Sequence, residues 1–411
     1  MEPLLETNYA LDTLYMLMTA VLVMFMACGF SMLESGMVRA KNTAEILTKN
    51  VALYAIACIM YLFIGYHIMY VGGADSGGVL PSFGLLIGEE NSAVGEGTYS
   101  ARADYFFQVV FVATAMSIVS GAVAERMKLW AFLIFAVVLT GFIYPIQGMW
   151  KWGGGFLDEQ GFLDFAGSGV VHLCGAVAAF TGVLFLGARR GKYGPSGEVH
   201  ALPGCNMPLA TLGMFILWFG WFGFNGGSEL IISNFEEANV VAQIFVNTNI
   251  AACGGLVVAL ILARAIFGKA DLTMALNGAL AGLVSITAEP AAGSAALALF
   301  TGAVGGAIVF GSIIVMDRYL KVDDPVGAIS VHGVCGIWGL LAVCYTNPEA
   351  TIGAQLLGIV SIIGFVGVAT AIVWAILKVT MGIRVSEEDE ESGVDYAEVG
   401  IEAYPEFVNA P

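Results

Sequence analysis

The segment Asp164–Gly175, DFAGSGVVHLCG, places the ionisable side chain of His172 inside a run of apolar and small residues. A second segment, Asp324–Gly336, reads DPVGAISVHGVCG and carries His332 eight residues after its aspartate, as the first does. Aligned on their histidines, the copies match at Asp164 and Asp324, Gly167 and Gly327, Val171 and Val331, and His172 and His332. A repeated histidine in apolar surroundings indicates a pair with a common role, whereas a single one is more typical of helix packing.

The composition indicates a membrane protein that crosses the bilayer many times. Of the 411 residues, 58% are hydrophobic and only 12% are charged, whereas soluble domains carry about 25% charged residues. Eleven apolar runs approach the roughly 20 residues that a transmembrane helix needs, and the eighth is the shortest. We therefore predict an all-α polytopic fold with helices at 11–33, 46–71, 104–124, 129–149, 164–187, 208–227, 239–263, 272–288, 293–316, 326–346 and 352–379.

The basic residues predict how these helices are oriented. With eleven spans, all of the 16 Lys and Arg residues except Arg102 and Lys151 fall on one side of the membrane. Basic loops favour the cytoplasmic side, so we predict a cell (plasma or inner) membrane protein with its N-terminus outside and its C-terminus in the cytoplasm. The opposite face carries most of the acidic loop residues and would mildly concentrate cations.

The two histidine segments predict an inverted repeat. They lie on the fifth and tenth helices, so each belongs to a five-helix half, about 11–187 and 208–346. Because five is odd, the second half enters the membrane upside down, which is common in transporters. Eight residues of helix rise about 12 Å, which brings each histidine near the bilayer centre. The eleventh helix, about 352–379, completes a membrane domain that spans residues 1–384.

The segment 385–411 differs from everything before it. It contains nine acids and no basic residue, which is typical of a solvated, disordered cytoplasmic tail. Four apolar or aromatic side chains favour partial docking onto a surface instead: Tyr396, Ile401, Tyr404 and Phe407.

Two imidazoles at the bilayer centre favour particular permeants. A charge at that depth costs at least about 2.5 kcal/mol, so the neutral forms of His172 and His332 are favoured. A neutral imidazole offers one hydrogen-bond donor and one acceptor. Such a pair suits a small neutral polar molecule or a proton relay, and not a bare cation that needs a shell of oxygen ligands.

Aromatic residues surround the predicted outer entrance. Phe107 and Phe111 are four apart on one helical face, and Trp221, Phe224 and Ser228 form a similar stripe. Aromatics near the membrane interface often form only a belt. Aromatic faces also attract cations, so we expect Phe111, Trp152 and Ser228 to hold a small monovalent cation without any carboxylate contact.

Several motifs together resemble the ammonium transporters of the Amt/Mep/Rh superfamily, on the Amt branch. They are ESGMVRAKN, FFQVVF, GAVAERMK, WKWGGGF, LDFAGSGVVH, GWFGFNGGS, VDDPVGAISVHGVCGIWG and GIRVSEEDEESGVDYAEVGIEAY. They extend from the first predicted helix into the acidic tail, so the resemblance covers nearly the whole chain.

The resemblance implies a homotrimer of eleven-helix subunits, each with its own pore through the lipid bilayer. It implies recruitment of ammonium by Phe111, Trp152 and Ser228, supported by the buried acid Asp164. It further implies a gate formed by Phe107, Phe111 and Phe224, and a pore lined by His172, His332, Trp221 and Thr287. In many prokaryotic relatives a PII-type signalling protein closes the pore from the cytoplasm. One departure follows Thr287, where AEPAAGS places Glu289 near the outer surface, either to tune cation attraction or as a neutral variation.

The resemblance implies transport in which ammonium is deprotonated and ammonia crosses, and it leaves open whether the proton crosses too. A Rh-type gas channel and an ammonium sensor share the fold, and the Amt-type tail disfavours the first. A water or glycerol channel is disfavoured because the single Asn-Pro, Asn347-Pro348, is followed by Glu349. His67 and His200 stand alone, so we expect no enzyme, no cofactor, no metal site and no nucleic-acid partner.

Overall fold

The computed structural model describes residues 2–73, 75, 77–93, 95–291 and 293–405. The regular structure of this described part is helical and includes no β-strand. By length and apolarity, ten of its helices qualify as membrane spans, and an eleventh apolar helix is shorter. In chain order the helices are α1 Pro3–Met37, α2 Ala40–Val71, α3 Ala101–Ala122, α4 Leu129–Met149, α5 Ser168–Leu186, α6 Met207–Gly227, α7 Phe235–Phe267, α8 Leu272–Ile286, α9 Ala295–Leu320, α10 Ile329–Thr346 and α11 Ile352–Thr380.

The predicted all-α membrane fold is confirmed, and the differences lie at helix ends. Helices α1 and α7 are longer than the predicted spans 11–33 and 239–263, because their polar end turns continue the helix beyond the apolar run. Helix α8 has 15 residues and so rises only about 22 Å, less than the roughly 30 Å of hydrocarbon. The count of eleven crossings therefore stays a prediction.

Polar side chains fix where six of the helices begin. In each case the oxygen of a residue just before the helix accepts a hydrogen bond from a backbone N–H of the first turn, which otherwise has no partner. The capping residues are Ser100 for α3, Asn206 for α6, Asn234 for α7, Asp271 for α8, Ser294 for α9 and Thr351 for α11.

The two histidine helices begin in the same unusual way. Both α5 and α10 open with π-helical turns, Ser168–Leu173 and Ile329–Val334, and each turn carries its histidine. Gly167 and Gly327 precede these turns with φ of 107° and 81°, a backbone conformation that glycine adopts at little cost. Single π-turns of this kind are frequent at functional sites. The matching backbone accounts for the spacing that the two sequence segments share.

Close helix packing depends on glycine where two backbones nearly touch. A Cβ atom at Gly213 of α6 would meet the backbone nitrogen of Leu33 on α1, and one at Gly302 of α9 would meet the carbonyl oxygen of Ala251 on α7. In a membrane no hydrophobic effect drives helices together, so helices usually associate through small residues that let their backbones approach closely.

Loops predicted to share the basic side of the membrane meet in one buried ion-pair network. Glu125, after α3, binds Arg39, after α1, at 2.7 Å and Arg189, after α5, at 3.1 Å. Arg189 also binds Asp323, after α9, at 2.9 Å. Glu125 has a left-handed φ of 72°, and its carboxylate accepts from the backbone N–H of Arg39 at 2.6 Å. We call the surface formed by these loops the basic face.

The acidic tail folds back onto the basic face through its acids. Glu390 binds Arg384 at 2.8 Å, Asp395 accepts from the backbone N–H of Glu45 at 2.8 Å, and Glu398 accepts from that of Leu129 at 2.7 Å. The last two contacts place carboxylates at the starts of α2 and α4, where unpaired N–H groups favour negative charge.

Of the three described side chains that the sequence suggested for docking the tail, two are exposed. Tyr396 and Ile401 are 76% and 62% exposed, because the carboxylates have stronger partners in the helix starts. Tyr404 is partly buried and lines a cavity beside Lys41 and Cys205. Phe407 lies outside the described residues.

Candidate permeation site

An aromatic vestibule of about 350 Å³ opens at the end of the molecule opposite the basic face. Phe111 and Trp152 meet edge to face there, with ring centroids 6.0 Å apart. The Ser228 hydroxyl donates to the carbonyl of Phe224 at 2.8 Å, so its lone pairs stay available as acceptors. The vestibule is lined by Asp104, Phe107, Gln108, Phe111, Trp152 and Ser228, among others. The three residues expected to recruit a cation therefore do come together.

The vestibule also has an acidic lining residue that the sequence patterns did not indicate, and cation binding without a carboxylate contact stays a prediction. Asp104, in the first turn of α3, contributes to the lining. Its hydrogen-bond partners in the described part of the chain are the Tyr66 hydroxyl and the Gln108 amide, the latter at 3.2 Å. Neither partner is a cation. Asp104 and Phe107 are three residues apart and share one helical face, but only the folded structure shows that this face lines the vestibule.

Phenylalanine rings close the vestibule toward the interior. The ring centroids of Phe107 and Phe111 are 4.7 Å apart, and those of Phe111 and Phe224 are 4.3 Å apart. All three side chains are buried. The ring of Phe224 in turn stacks on that of His172 at 5.2 Å. The residues predicted as a gate therefore stand between the vestibule and the histidines.

The two histidines contact each other in the buried centre of the bundle. The Nδ1 atoms of His172 and His332 are 3.1 Å apart, and their ring centroids are 5.1 Å apart. One Nδ1 must donate and the other accept, so the pair shares one proton across this contact. The two side chains are 0% and 3% exposed. The contact predicted from the sequence repeat is present.

Trp221 and Thr287 hold one side of the histidine pair. The Trp221 ring stacks on His172 with centroids 5.0 Å apart. Its indole N–H donates to the Thr287 hydroxyl at 2.8 Å, and that hydroxyl donates to the carbonyl of Leu283 at 2.7 Å. This chain of hydrogen bonds fixes the plane of the indole and, through stacking, that of the imidazole.

Asp164 lies behind the vestibule and supports its walls. One carboxylate oxygen accepts from the backbone N–H groups of Gly169 and Val170 at 2.9 and 2.8 Å. It thus acts as a cap for α5, although it stands three residues before Gly167, the N-cap position. Its backbone carbonyl accepts from the Trp152 indole at 3.0 Å. Asp164 therefore orients both the histidine helix and the vestibule tryptophan.

Glu289, the departure noted in the sequence, links the segment after α8 to the segment after α10, at the end of the molecule where the vestibule opens. Its carboxylate accepts from the Asn347 amide at 2.8 Å. The neighbouring Thr287 carbonyl accepts from the backbone N–H of Ala166 at 3.0 Å. These contacts place Glu289 in the packing between the end of α8 and the end of α10.

Buried membrane helices, a wide aromatic entrance and a narrow polar pair beneath it together define a polytopic membrane protein built around a permeation path. A profile described as the Ammonium Transporter Family matches residues 14–404. The chain belongs to the ammonium transporter family.

Curated relatives and solved structures agree with this membership. The ammonium transporter Amt2 of Archaeoglobus fulgidus is 40% identical over 97% of this chain and 89% of its own length. The ammonium transporter of Bacillus subtilis is 32% identical over 96% and 98%. A solved structure described as a sensor Amt protein has a TM-score of 0.90 at 32% identity, covering 96% and 99%. Mep2 of Candida albicans has a TM-score of 0.81 at 25% identity, covering 97% and 92%.

Proposed function

We propose that this protein transports ammonium or ammonia across a cell membrane and is not an enzyme. The observation that carries the proposal is the contact between His172 and His332, buried beneath an aromatic vestibule. A shell of oxygen ligands, which a potassium ion would need, is not what two imidazoles offer. A neutral molecule that has N–H donors and a lone pair can donate to one imidazole nitrogen and accept from the N–H of the other.

The proposed sequence of events begins with ammonium between Phe111 and Trp152, held by cation–π attraction and by the Ser228 hydroxyl. The cation loses a proton as it passes Phe107, Phe111 and Phe224, because a charge in the buried interior is costly. Ammonia then passes His172 and His332, beside Trp221 and Thr287. Asp164 keeps the helix start and the tryptophan in place throughout.

The proposal includes the topology and assembly that the sequence predicted. Eleven crossings, ten in two inverted halves and one final helix, would place the vestibule outside and the basic face in the cytoplasm, with the tail of residues 385–411. The matching backbone of the two histidine helices supports the inverted repeat. The ion-pair network among loops of predicted cytoplasmic location supports the orientation. A homotrimer and a PII-type partner on the basic face belong to the same proposal.

Purified protein in liposomes tests the transport proposal directly. We expect ammonium gradients to drive uptake and potassium gradients to drive none. In His172→Asp, we expect potassium to compete with or replace ammonium, because a carboxylate at the centre favours a cation over a neutral molecule.

Two results would count against the proposal. Wild-type liposomes that take up no more ammonium than protein-free liposomes would reject transport. Unchanged selectivity for ammonium over potassium in His172→Asp would reject the role of the histidine pair.

An ammonium sensor is the second candidate, because the described sensor Amt protein aligns over 96% of this chain. A cell that lacks its own ammonium transporters separates the two functions. Growth on low ammonium, restored by this protein, indicates transport. A failure to restore growth, with the protein present in the membrane, would favour sensing.

A further inference from the structure

A small cavity lies directly beneath the histidine pair, on the side of the basic face. Its volume of about 10 Å³ matches a single molecule the size of water. His332 forms its upper wall, and Phe30, Asn277 and Val331 line its sides. Glu34, on α1, also lines this cavity. A titratable side chain therefore shares one small chamber with the inner histidine.

Glu34 is held in place by neutral groups. Its carboxylate accepts from the Asn50 amide at 2.8 Å and from the Ser120 hydroxyl at 2.7 Å. These contacts join α1 to α2 and α3, and the residue is 1% exposed. A buried carboxylate without a bound cation is costly, so Glu34 is stable when it either carries a proton or faces a positive charge.

Among the described residues, no cationic side chain forms a direct ion pair with Glu34. Lys49, one residue before Asn50 on α2, has its ammonium 3.2 Å from Glu45 and over the ring of Phe132. The Lys49 ammonium is thus paired with Glu45, and no ion pair with Glu34 is present in the described part of the chain. His332 is the remaining titratable group that faces the cavity. Membrane carboxylates in such settings are typical of proton pathways.

We propose that Glu34 is the proton-exchange residue at the inner end of the pore. In its protonated form its O–H bond breaks and a new N–H bond forms on ammonia arriving past His332. Ammonium leaves toward the basic face, and the carboxylate keeps the negative charge. The proton that ammonium lost at the outer entrance passes through His172 and His332 and restores the acid. The net result is the transfer of one ammonium, and the inference rests on the proposed transport function.

A purely structural role for Glu34 makes a different prediction. Glutamine has the same shape, and its amide can accept from Asn50 and donate to the Ser120 oxygen. Glu34→Gln therefore preserves the links between α1, α2 and α3 and removes only the exchangeable proton of the carboxyl group.

The experiment measures ammonium-evoked current and ammonium uptake in liposomes that contain the purified full-length protein. We expect wild type to show both. We expect Glu34→Gln to lose current by at least about tenfold, since a positioned proton-transfer group contributes about a hundredfold or more. Outer binding of ammonium, followed by Trp fluorescence, should change by less than about twofold, because the vestibule is unaltered. Ser120→Ala, which loses a hydrogen bond but keeps the carboxyl group, should retain most of the current.

Each result has a defined meaning. Current in Glu34→Gln within about twofold of wild type would overturn the proposal. Uptake without current in wild type would overturn it too, while leaving ammonium transport in place. Absence of both in wild type would instead reject the transport function itself.

A second measurement does not depend on the stability of Glu34→Gln. Infrared difference spectra of the wild-type protein, with ammonium against potassium, should show a change in a protonated-carboxyl C=O band. That band should shift in Glu34→Asp, which keeps the acid one methylene shorter. No such band, or a band that Glu34→Asp leaves in place, would contradict the assignment to Glu34.

Discussion

Asp104 gives the vestibule a negative charge that cation–π attraction alone lacks. Asp104 lines the same cavity as Trp152 and Ser228, and among the described residues its carboxylate has a hydroxyl and an amide as hydrogen-bond partners. We predict that Asp104→Asn weakens ammonium binding by about tenfold, equivalent to about 1.4 kcal/mol, because a Coulomb attraction is lost while the shape is kept. Titration of ammonium against Trp fluorescence measures the change.

Glu96→Gln is the matched control for that prediction. Glu96 is exposed and accepts hydrogen bonds from Ser92 in a surface turn. Removing its charge should leave ammonium affinity within about twofold, since exposed charges are strongly screened. Equal weakening by both variants would mean that the general acidity of the face, and not Asp104, sets the affinity.

Sequence reasoning succeeded for residues whose pattern occurs twice. His172 and His332 could be paired because the second copy appears at the same place in the second half. Asp104 and Glu34 have no such copy, although each lies within a membrane helix. Their importance depends on which cavity the folded helices place them in, and a one-dimensional pattern does not contain that information.

At the scale of helices, the α1–α6 contact provides a sharp test of backbone packing. A Cβ atom at Gly213 would meet backbone atoms of Leu33 and Gly29, which can yield only if the helices separate. We predict that Gly213→Ala lowers stability by about 1–3 kcal/mol, as overpacking commonly does. The midpoint of thermal unfolding in detergent measures the effect.

Gly311→Ala on α9 is the control, because it makes the same glycine-to-alanine substitution where the added Cβ atom meets no neighbouring atom. A Cβ atom at Gly311 has no neighbour within 4 Å, and alanine is a better helix former by up to about 1 kcal/mol. Its unfolding midpoint should stay the same or rise. A drop as large as that of Gly213→Ala would show that close packing is not the cause.

The apolar runs predicted where the helices lie, but they did not predict the residues at which the helices begin and end. Capped starts such as Asn234 extend α7 through polar turns that a hydropathy pattern excludes. The π-helical turns at His172 and His332 were equally invisible, because they arise where Asp164 and Asp324 bind backbone N–H groups of the first turn. Such ends are decided by individual hydrogen bonds.

For the whole molecule, the network on the basic face predicts how stability depends on pH. Burial raises the pKa of Glu125, but Arg189 and Arg39 outweigh it and bring that pKa below its ordinary value. Burial likewise raises the pKa of Asp323, and hydrogen bonds from Arg189 together with the charge of Arg126 bring it well below. Because the folded values are lowered, the stabilisation is fully present above the unfolded values of about 4. It is lost as pH falls through the lowered folded values.

We therefore predict that the contribution of this network to the unfolding midpoint is constant above about pH 5 and is lost below about pH 4. Glu125→Gln should lower the midpoint at pH 7, since breaking a buried ion pair costs about 3–5 kcal/mol. It should also flatten the acid response. An acid response of unchanged size in Glu125→Gln would place the titrating groups elsewhere.

The basic face shows how far charge counting reaches. The alternation of basic loops predicted that Arg39, Arg126 and Arg189 share one side, and they do meet in space. Their partners Glu125 and Asp323 were not predicted, because the orientation argument counts basic residues and does not identify which acids pair with them. The acidic tail is similar, since its docking depends on helix starts that its own sequence does not reveal.

The ring stack from Phe107 to His332 also has an electrical consequence. A voltage of 100 mV supplies about 2.3 kcal/mol to one charge that crosses the whole membrane. Removing the hydration shell of an ion so that it can enter a buried apolar stack costs several kcal/mol. Neutral imidazoles bind potassium too weakly to offset that cost. Many copies can therefore stay in a membrane without letting potassium cross and discharge the membrane voltage.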